Sequence, residues 1–210
     1  DEHVDGKPYG VDVLVPNSYV GKGENLTTDD LRAMIPQEHR DFRSDILEQY
    51  DLQASDLRSS ENSKELESNS NGVLGAGLDG AKEVLEVAFA HPISLVANAL
   101  GVPPKWMLEM GKEHNVPVAA LVGAKQHAVK QAEAGVDIIV VSGTEGGGHC
   151  GSVSTMVLVP EVRRALKDYG DVPILAAGGI CTGEQMAGVM AMGADGVWLS
   201  LIHISEPTRP

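Results

Sequence analysis

Residues 143–151 read G-T-E-G-G-G-H-C-G, which puts five glycines, one carboxylate, one imidazole and one thiol into a single loop. His149 can exchange a proton near neutral pH. The glycines let backbone come close to a flat or anionic ligand. The loop follows Asp137-Ile138-Ile139-Val140-Val141, a β-branched apolar run of the kind that forms a buried parallel strand. Parallel α/β barrels keep their chemistry at the ends of such strands. The bland alternative is a histidine that merely packs in a tight loop.

A second run, V-P-I-L-A-A-G-G-I at 172–180, is another strand entering the pair Gly178 and Gly179. Thr182 follows with Gln185 three residues later, the pattern of a capping box at a helix start. Glycines ahead of a helix start, with its free N–H groups, suit a phosphate. Ordinary turn geometry would also account for each of these glycines. Glu145 could simply cap its loop, and Cys150 and Cys181 suit small packing volumes better than reactivity. Lys125 and His127, after the strand near 118, either face a ligand or occupy a solvated helix start.

Strands must position these residues. Apolar runs predict six of them, near 11, 95, 118, 139, 175 and 197. Between them lie helical periodicities. Ala81, Val84, Leu85, Ala88 and Phe89 fall on one face; 103–114 begins with two prolines; 124–134 ends at Gly135. Val162, Ala165, Leu166 and Tyr169 mark the next helix, and Met186, Val189, Met190 and Gly193 the last. This alternation implies parallel βα units. The stretch 17–80 breaks the rhythm. It has helical patterns at 29–34 and around Phe42, Ile46 and Tyr50, and a polar, serine-rich run at 54–71 that reads as a mobile loop. Such an insertion is either a lid over a site or a solvated decoration.

The net charge of −14 argues against nucleic-acid binding, which wants a basic patch. Two cysteines give no disulfide framework and fit a reducing, cytoplasmic setting. No apolar run is long enough for a membrane span and no signal peptide is evident, so neither a nucleic acid nor a membrane is expected as partner. No metal site is expected.

Taken together, K-P-Y-G-V-D-V-L-V-P at 7–16, A-G-V-D-I-I-V-V-S-G-T-E-G-G-G-H at 134–149 and V-P-I-L-A-A-G-G-I resemble the nitronate monooxygenases, formerly called 2-nitropropane dioxygenases. The resemblance implies an FMN-dependent (β/α)8 barrel of which strands three to eight are present, an incomplete TIM barrel with an irregular, mostly helical insertion. It implies oxidation of nitronates or nitroalkanes with O2 to carbonyl compounds and nitrite. His149 then matches the family's active-site histidine, which takes a proton from, or hydrogen-bonds to, the nitro or nitronate group. Gly147 and Gly148 match positions near the flavin ring, and Gly178 and Gly179 the phosphate loop. Ser142 stands where many members carry glutamine and Asp12 where many carry asparagine. Each could still hydrogen-bond a flavin edge, yet the exchanges leave the substrate open.

The resemblance gives out at both ends. The family's first two strands precede K-P-Y-G-V, and the first carries a flavin-contacting loop. Residues 199–210, L-S-L-I-H-I-S-E-P-T-R-P, look like a translated sequencing adapter, so they are expected to be a non-native tail behind a partial FMN-binding barrel at 1–198. His203 is accordingly not read as a ligand. Two alternatives stay open: an NAD(P)H-dependent flavin reductase of the same fold, of the enoyl-ACP reductase or quinone reductase type, and a fragment inactive as written.

Overall fold

The computed structural model describes residues 4–15, 28–52 and 78–199. The chain divides into two units, Asp1–Asn17 with Val84–Pro210, and Ser18–Glu83.

The first unit is built on six parallel strands: β1 (Gly10–Val13), β2 (Leu95–Asn98), β3 (Val118–Val122), β4 (Ile138–Ser142), β5 (Ile174–Ala177) and β6 (Gly196–Trp198). Their order in the sheet is their order in the chain. A doubly wound sheet reverses direction at a switch point, whereas a barrel wall advances one strand at a time. The sequential order is therefore that of a barrel wall. Among the described residues it is an open one, with β1 and β6 at its edges. The fold expected from the sequence, an incomplete (β/α) barrel, is observed.

Register sorts the side chains into two faces. Val96, Val118, Ile139, Val141, Ile174 and Ala176 share one face and are fully buried. Helices cover it, between β2 and β3 by α4 (Lys105–His114), where Gly111 lies directly on the Val118 side chain. The next helices are α5 (Lys125–Ala134), α6 (Thr155–Ala165) and α7 (Gly183–Ala191), with a 3-10 turn at Lys167–Tyr169. Burying one such aliphatic side chain is worth about 1.5–3 kcal/mol, so this face supplies most of the unit's cohesion. The opposite face carries small residues at its centre. Ala97, Ala119, Val140 and Ala177 form a cluster flanked by Leu95, Leu121, Ile138, Leu175 and Trp198. Asp12 pairs with Ala97 and Ser142 with Ala177, which puts both on this second face.

Carboxylates stitch the N-terminal ends of the strands. Asp137, just before β4, accepts the amide of Val118 at 2.8 Å. Asp195, just before β6, accepts the amide of Ile174 at 2.7 Å and pairs with Arg163 of α6. The related strings A-G-V-D and M-G-A-D thus serve one structural purpose at the end away from the glycine loops.

Predicted helical faces are narrower than the periodicity suggests. In α3 (Leu78–Phe89), Leu85 and Ala88 are buried, but Val84 is exposed. In α7 only Val189 is buried, and Met186 and Met190 face outward. Tyr169 leaves the α6 face altogether; its hydroxyl donates to Glu133 at 3.1 Å. Within the second unit, α1 (Thr28–Ala33) and α2 (Gln37–Gln49) match the predicted helices, with Phe42, Ile46 and Tyr50 exposed. The serine-rich run lies outside the described residues.

Candidate active site

The loops after β2, β3 and β4 meet over the C-terminal ends of the strands and enclose a pocket of about 430 Å³. Ser142, Gly147 and His149 all line it, beside Leu100 and Leu121. The end of β4 and the loop directly after it thus bring all three to one cavity. His149 is exposed, its ring available to a ligand.

Close backbone contact makes this arrangement possible. A Cβ on Gly151 would run into the Gly123 carbonyl, and a Cβ on Gly123 would sit 2.8 Å from the Gly151 amide. The loops after β3 and β4 can touch only because both residues are glycine.

Glu145 does more than cap its own loop. Its carboxylate accepts the Thr155 amide at 2.9 Å and the Thr155 hydroxyl at 3.0 Å. It therefore occupies the start of α6, where Ser154 makes no side-chain cap. The Thr155 amide, followed by Glu145's own backbone N–H, holds the carboxyl below its ordinary pKa. Thr155 itself is buried and also lies 3.2 Å from the Ala177 carbonyl and 3.0 Å from that of Gly178. Sequence reasoning missed Thr155. The one signal was a hydroxyl residue shortly after the glycine loop, and its value depends on a contact with β5 that no local pattern reveals.

Gly178 and Gly179 stand at φ +93° and +73°, where a side chain would be strained. A Cβ on Gly179 would lie 2.8 Å from Glu145 Cβ, so the two glycine loops pack together. Neither glycine lines the pocket that holds His149. Gly148 also has a positive φ and lies outside that lining.

The helix after this pair requires a correction. Thr182 and Gln185 do form the predicted capping box. Gln185 Oε1 accepts the amides of Cys181 and Thr182, at 2.7 and 3.1 Å, and Thr182 Oγ1 accepts that of Gln185. The Glu184 carboxyl accepts its own amide and the Thr182 hydroxyl, which lowers its pKa. The amides of Cys181, Thr182, Glu184 and Gln185 are taken by the helix's own side chains, which leaves that of Gly183 outside this network.

Asp12, on β1, shares the small-residue face with Ser142 but does not line the pocket. Partial burial raises its pKa. Lys125 is not at the pocket: its ammonium pairs with Glu161 of α6 at 2.7 Å. His127 is at the pocket, in the first turn of α5. Cys150 and Cys181 are exposed and in no disulfide. Among the described residues no group of three or more His, Cys, Asp or Glu could hold a metal ion. None of the described helices is long and apolar enough to cross a membrane.

A family model described as nitronate monooxygenase matches residues 4–204. The chain belongs to the nitronate monooxygenase family. Members of this family are flavin oxidoreductases. Among curated relatives, "Putative monooxygenase Rv1533" of Mycobacterium tuberculosis is 46% identical over 98% of this chain and 52% of its own length. An octahydro-indene-carboxyl-CoA dehydrogenase from the same organism is 39% identical over 62% of this chain and 37% of its own. Among solved structures, nitroalkane oxidase from Streptomyces ansochromogenes superposes with a TM-score of 0.64 at 23% identity, over 92% of this chain and 50% of that one. That likeness concerns the fold. The chain spans about half the length, or less, of the curated relatives it matches.

Proposed function

We propose that the protein carrying this chain is an FMN-dependent oxidoreductase. It converts nitronates or nitroalkanes, with O2, to carbonyl compounds and nitrite. The observation that carries this reading is the exposed imidazole of His149 on a pocket wall shared with Ser142 and Gly147. Family membership supports the flavin.

The residues suit FMN. The inner sheet face is small at its centre, with Ala97, Ala119 and Ala177 packed beneath Leu121 of the pocket wall. Ser142 and Asp12, on that same face, offer polar groups to the flavin edge. Gly147 has open space where a Cβ would stand, so backbone there can lie against a ring. Gly178 and Gly179 present bare backbone for the phosphate. When bound, FMN supplies electron transfer between substrate and oxygen. An imidazole nitrogen of His149 takes the α-proton of a nitroalkane or donates a hydrogen bond to a nitronate oxygen. The substrate is a carbon acid whose conjugate base carries charge on oxygen, and an imidazole can both accept a proton and donate a hydrogen bond. Apolar Leu100 and Leu121 hold the carbon skeleton and reduce competing hydration.

Nitrite release on mixing flavin-loaded protein with propyl-2-nitronate in air tests the reading; no nitrite above a protein-free control refutes it.

A second reading is favoured by the relative named as a CoA-thioester dehydrogenase. In it the same mouth takes a thioester substrate, and a nicotinamide cofactor can reduce the flavin. Anaerobic mixing with NADH or NADPH separates the two, since rapid flavin bleaching belongs to the second alone. On either reading the protein works in the cytoplasm.

A further inference from the structure

One wall of the pocket is formed by α5, through exposed His127 and Lys130 and buried Gln131, and the nitronate chemistry makes no use of it. The chain carries 30 Asp and Glu against 16 Lys and Arg, yet none of the residues lining this pocket is acidic. Three of them, His127, Lys130 and His149, can be cationic. Among the described residues, no hydrogen bond or ion pair engages the side chains of His127 or Lys130. The other cation on that helix near the strand ends, Lys125, is tied to Glu161. The acid one turn beyond Lys130, Glu133, accepts from Tyr169. A cationic wall without counter-charge, in a strongly acidic protein, concentrates anions where the rest of the surface repels them.

Gln131 adds an independent observation. Its Nε2 donates to the Gly101 carbonyl at 2.9 Å, which ties α5 to the loop after β2. Its Oε1 is buried and, among the described residues, has no hydrogen-bond partner. A buried acceptor left unmatched is costly, and a turn of the amide toward the pocket would let an N–H or O–H brought by a ligand relieve it.

We propose that the α5 wall is an anion-recognition subsite in which Lys130 and His127 hold a phosphate or carboxylate at the far end of the substrate from His149. This rests on the reading of the mouth as a substrate site and adds the substrate's class to it. The preferred ligand has an apolar reacting end, an anionic tail, and an N–H or O–H donor near that tail for Gln131. Two sources share this chemistry. One is an acyl-coenzyme A, whose pantetheine arm carries amides beside phosphates. The other is a simple carboxylic acid, which lacks the donor.

Calorimetric titration of the complete flavin-loaded protein with acetyl-CoA, and separately with succinate, tests the subsite without requiring turnover. The wild-type protein should bind at least one probe. Lys130→Glu should weaken that binding by about tenfold or more, as expected for loss and reversal of a charge-assisted contact. Lys130→Arg should retain most of it. Lys167→Glu makes the same change of net charge on an exposed residue at the other end of the strands, and should leave affinity unchanged. Loss confined to acetyl-CoA identifies a phosphate-bearing substrate, and loss confined to succinate a carboxylate. If neither probe binds, or Lys130→Glu binds both as the wild type does, the subsite is refuted. Nitrite release from propyl-2-nitronate, which has no anionic tail beyond its reacting group, reports on the flavin reading separately.

Discussion

The hydroxyl of Thr155 sits 3.0 Å from the Glu145 carboxylate and 3.0 Å from the Gly178 carbonyl. A hydroxyl has one proton to give, so these acceptors compete for it while the Thr155 amide holds Glu145 regardless. Through this one buried side chain the glycine loop after β4, the start of α6 and the end of β5 become a single piece. The loop that carries His149 is thereby fixed relative to the glycine pair that would face the phosphate.

Thr155→Val keeps the shape and removes the hydroxyl. Unfolding of the flavin-loaded protein in urea should become easier by about 1–3 kcal/mol, since acceptors are left unmatched. Flavin should also be lost more readily on dialysis. An unchanged urea midpoint and unchanged flavin retention would show that the tie is incidental.

Glu145 gives the tie a pH dependence. Its carboxyl pKa is lowered in the folded state, chiefly by the Thr155 amide. The stability it contributes is therefore fully present above the unfolded carboxylate range and is lost as pH falls through the lowered folded value. Glu145→Gln should melt below the wild type at neutral pH, and the two curves should converge under acid conditions. A difference in Tm that stays constant from neutral to acid pH would count against the charged interaction.

Asp12 runs the other way. Its folded pKa is raised by burial, so its contribution favours the fold at low pH and is lost as pH rises through the raised value. Asp12→Asn should match or exceed wild-type Tm at neutral pH, with the gap closing below about pH 4. A clear loss of stability at neutral pH would mean that the carboxylate is held by an attractive partner.

The two glycine clusters should respond differently. At Gly147 a Cβ has nothing within 4 Å, so Gly147→Ala should leave folding intact and still hinder whatever lies against that backbone. Gly179→Val meets both a positive φ and the Glu145 side chain, so it should reduce flavin content and stability together. Flavin absorbance per chain, measured beside thermal melting, checks both. Full flavin and wild-type substrate affinity in Gly147→Ala would remove that loop from the site.

The strands were legible because each is a short apolar run between breakers, and their sequential order follows from the βα rhythm. The pocket was partly legible: Ser142, Gly147 and His149 come from one stretch of chain that a strand and a tight loop bring round together. What sequence could not give was contact across strands. Thr155 matters through β5, and Gly123 matters through Gly151; neither has a local signature. The helix start after Gly179 misled for a different reason. The capping box that reveals where α7 begins also engages amides around that start, so the same pattern marks a helix start and leaves fewer donors for an anion. His127 and Lys130 were hidden because helical polar residues read as solvated until a pocket is found beside them.

The proposed chemistry turns on His149. Nitrite release from propyl-2-nitronate should be compared between the complete flavin-loaded wild type and His149→Ala, with flavin content measured in both. Equal flavin and a fall in kcat/KM of about 10²–10⁴-fold are expected, the usual cost of removing one positioned acid–base group. Equal flavin with unchanged kcat/KM would contradict that chemistry.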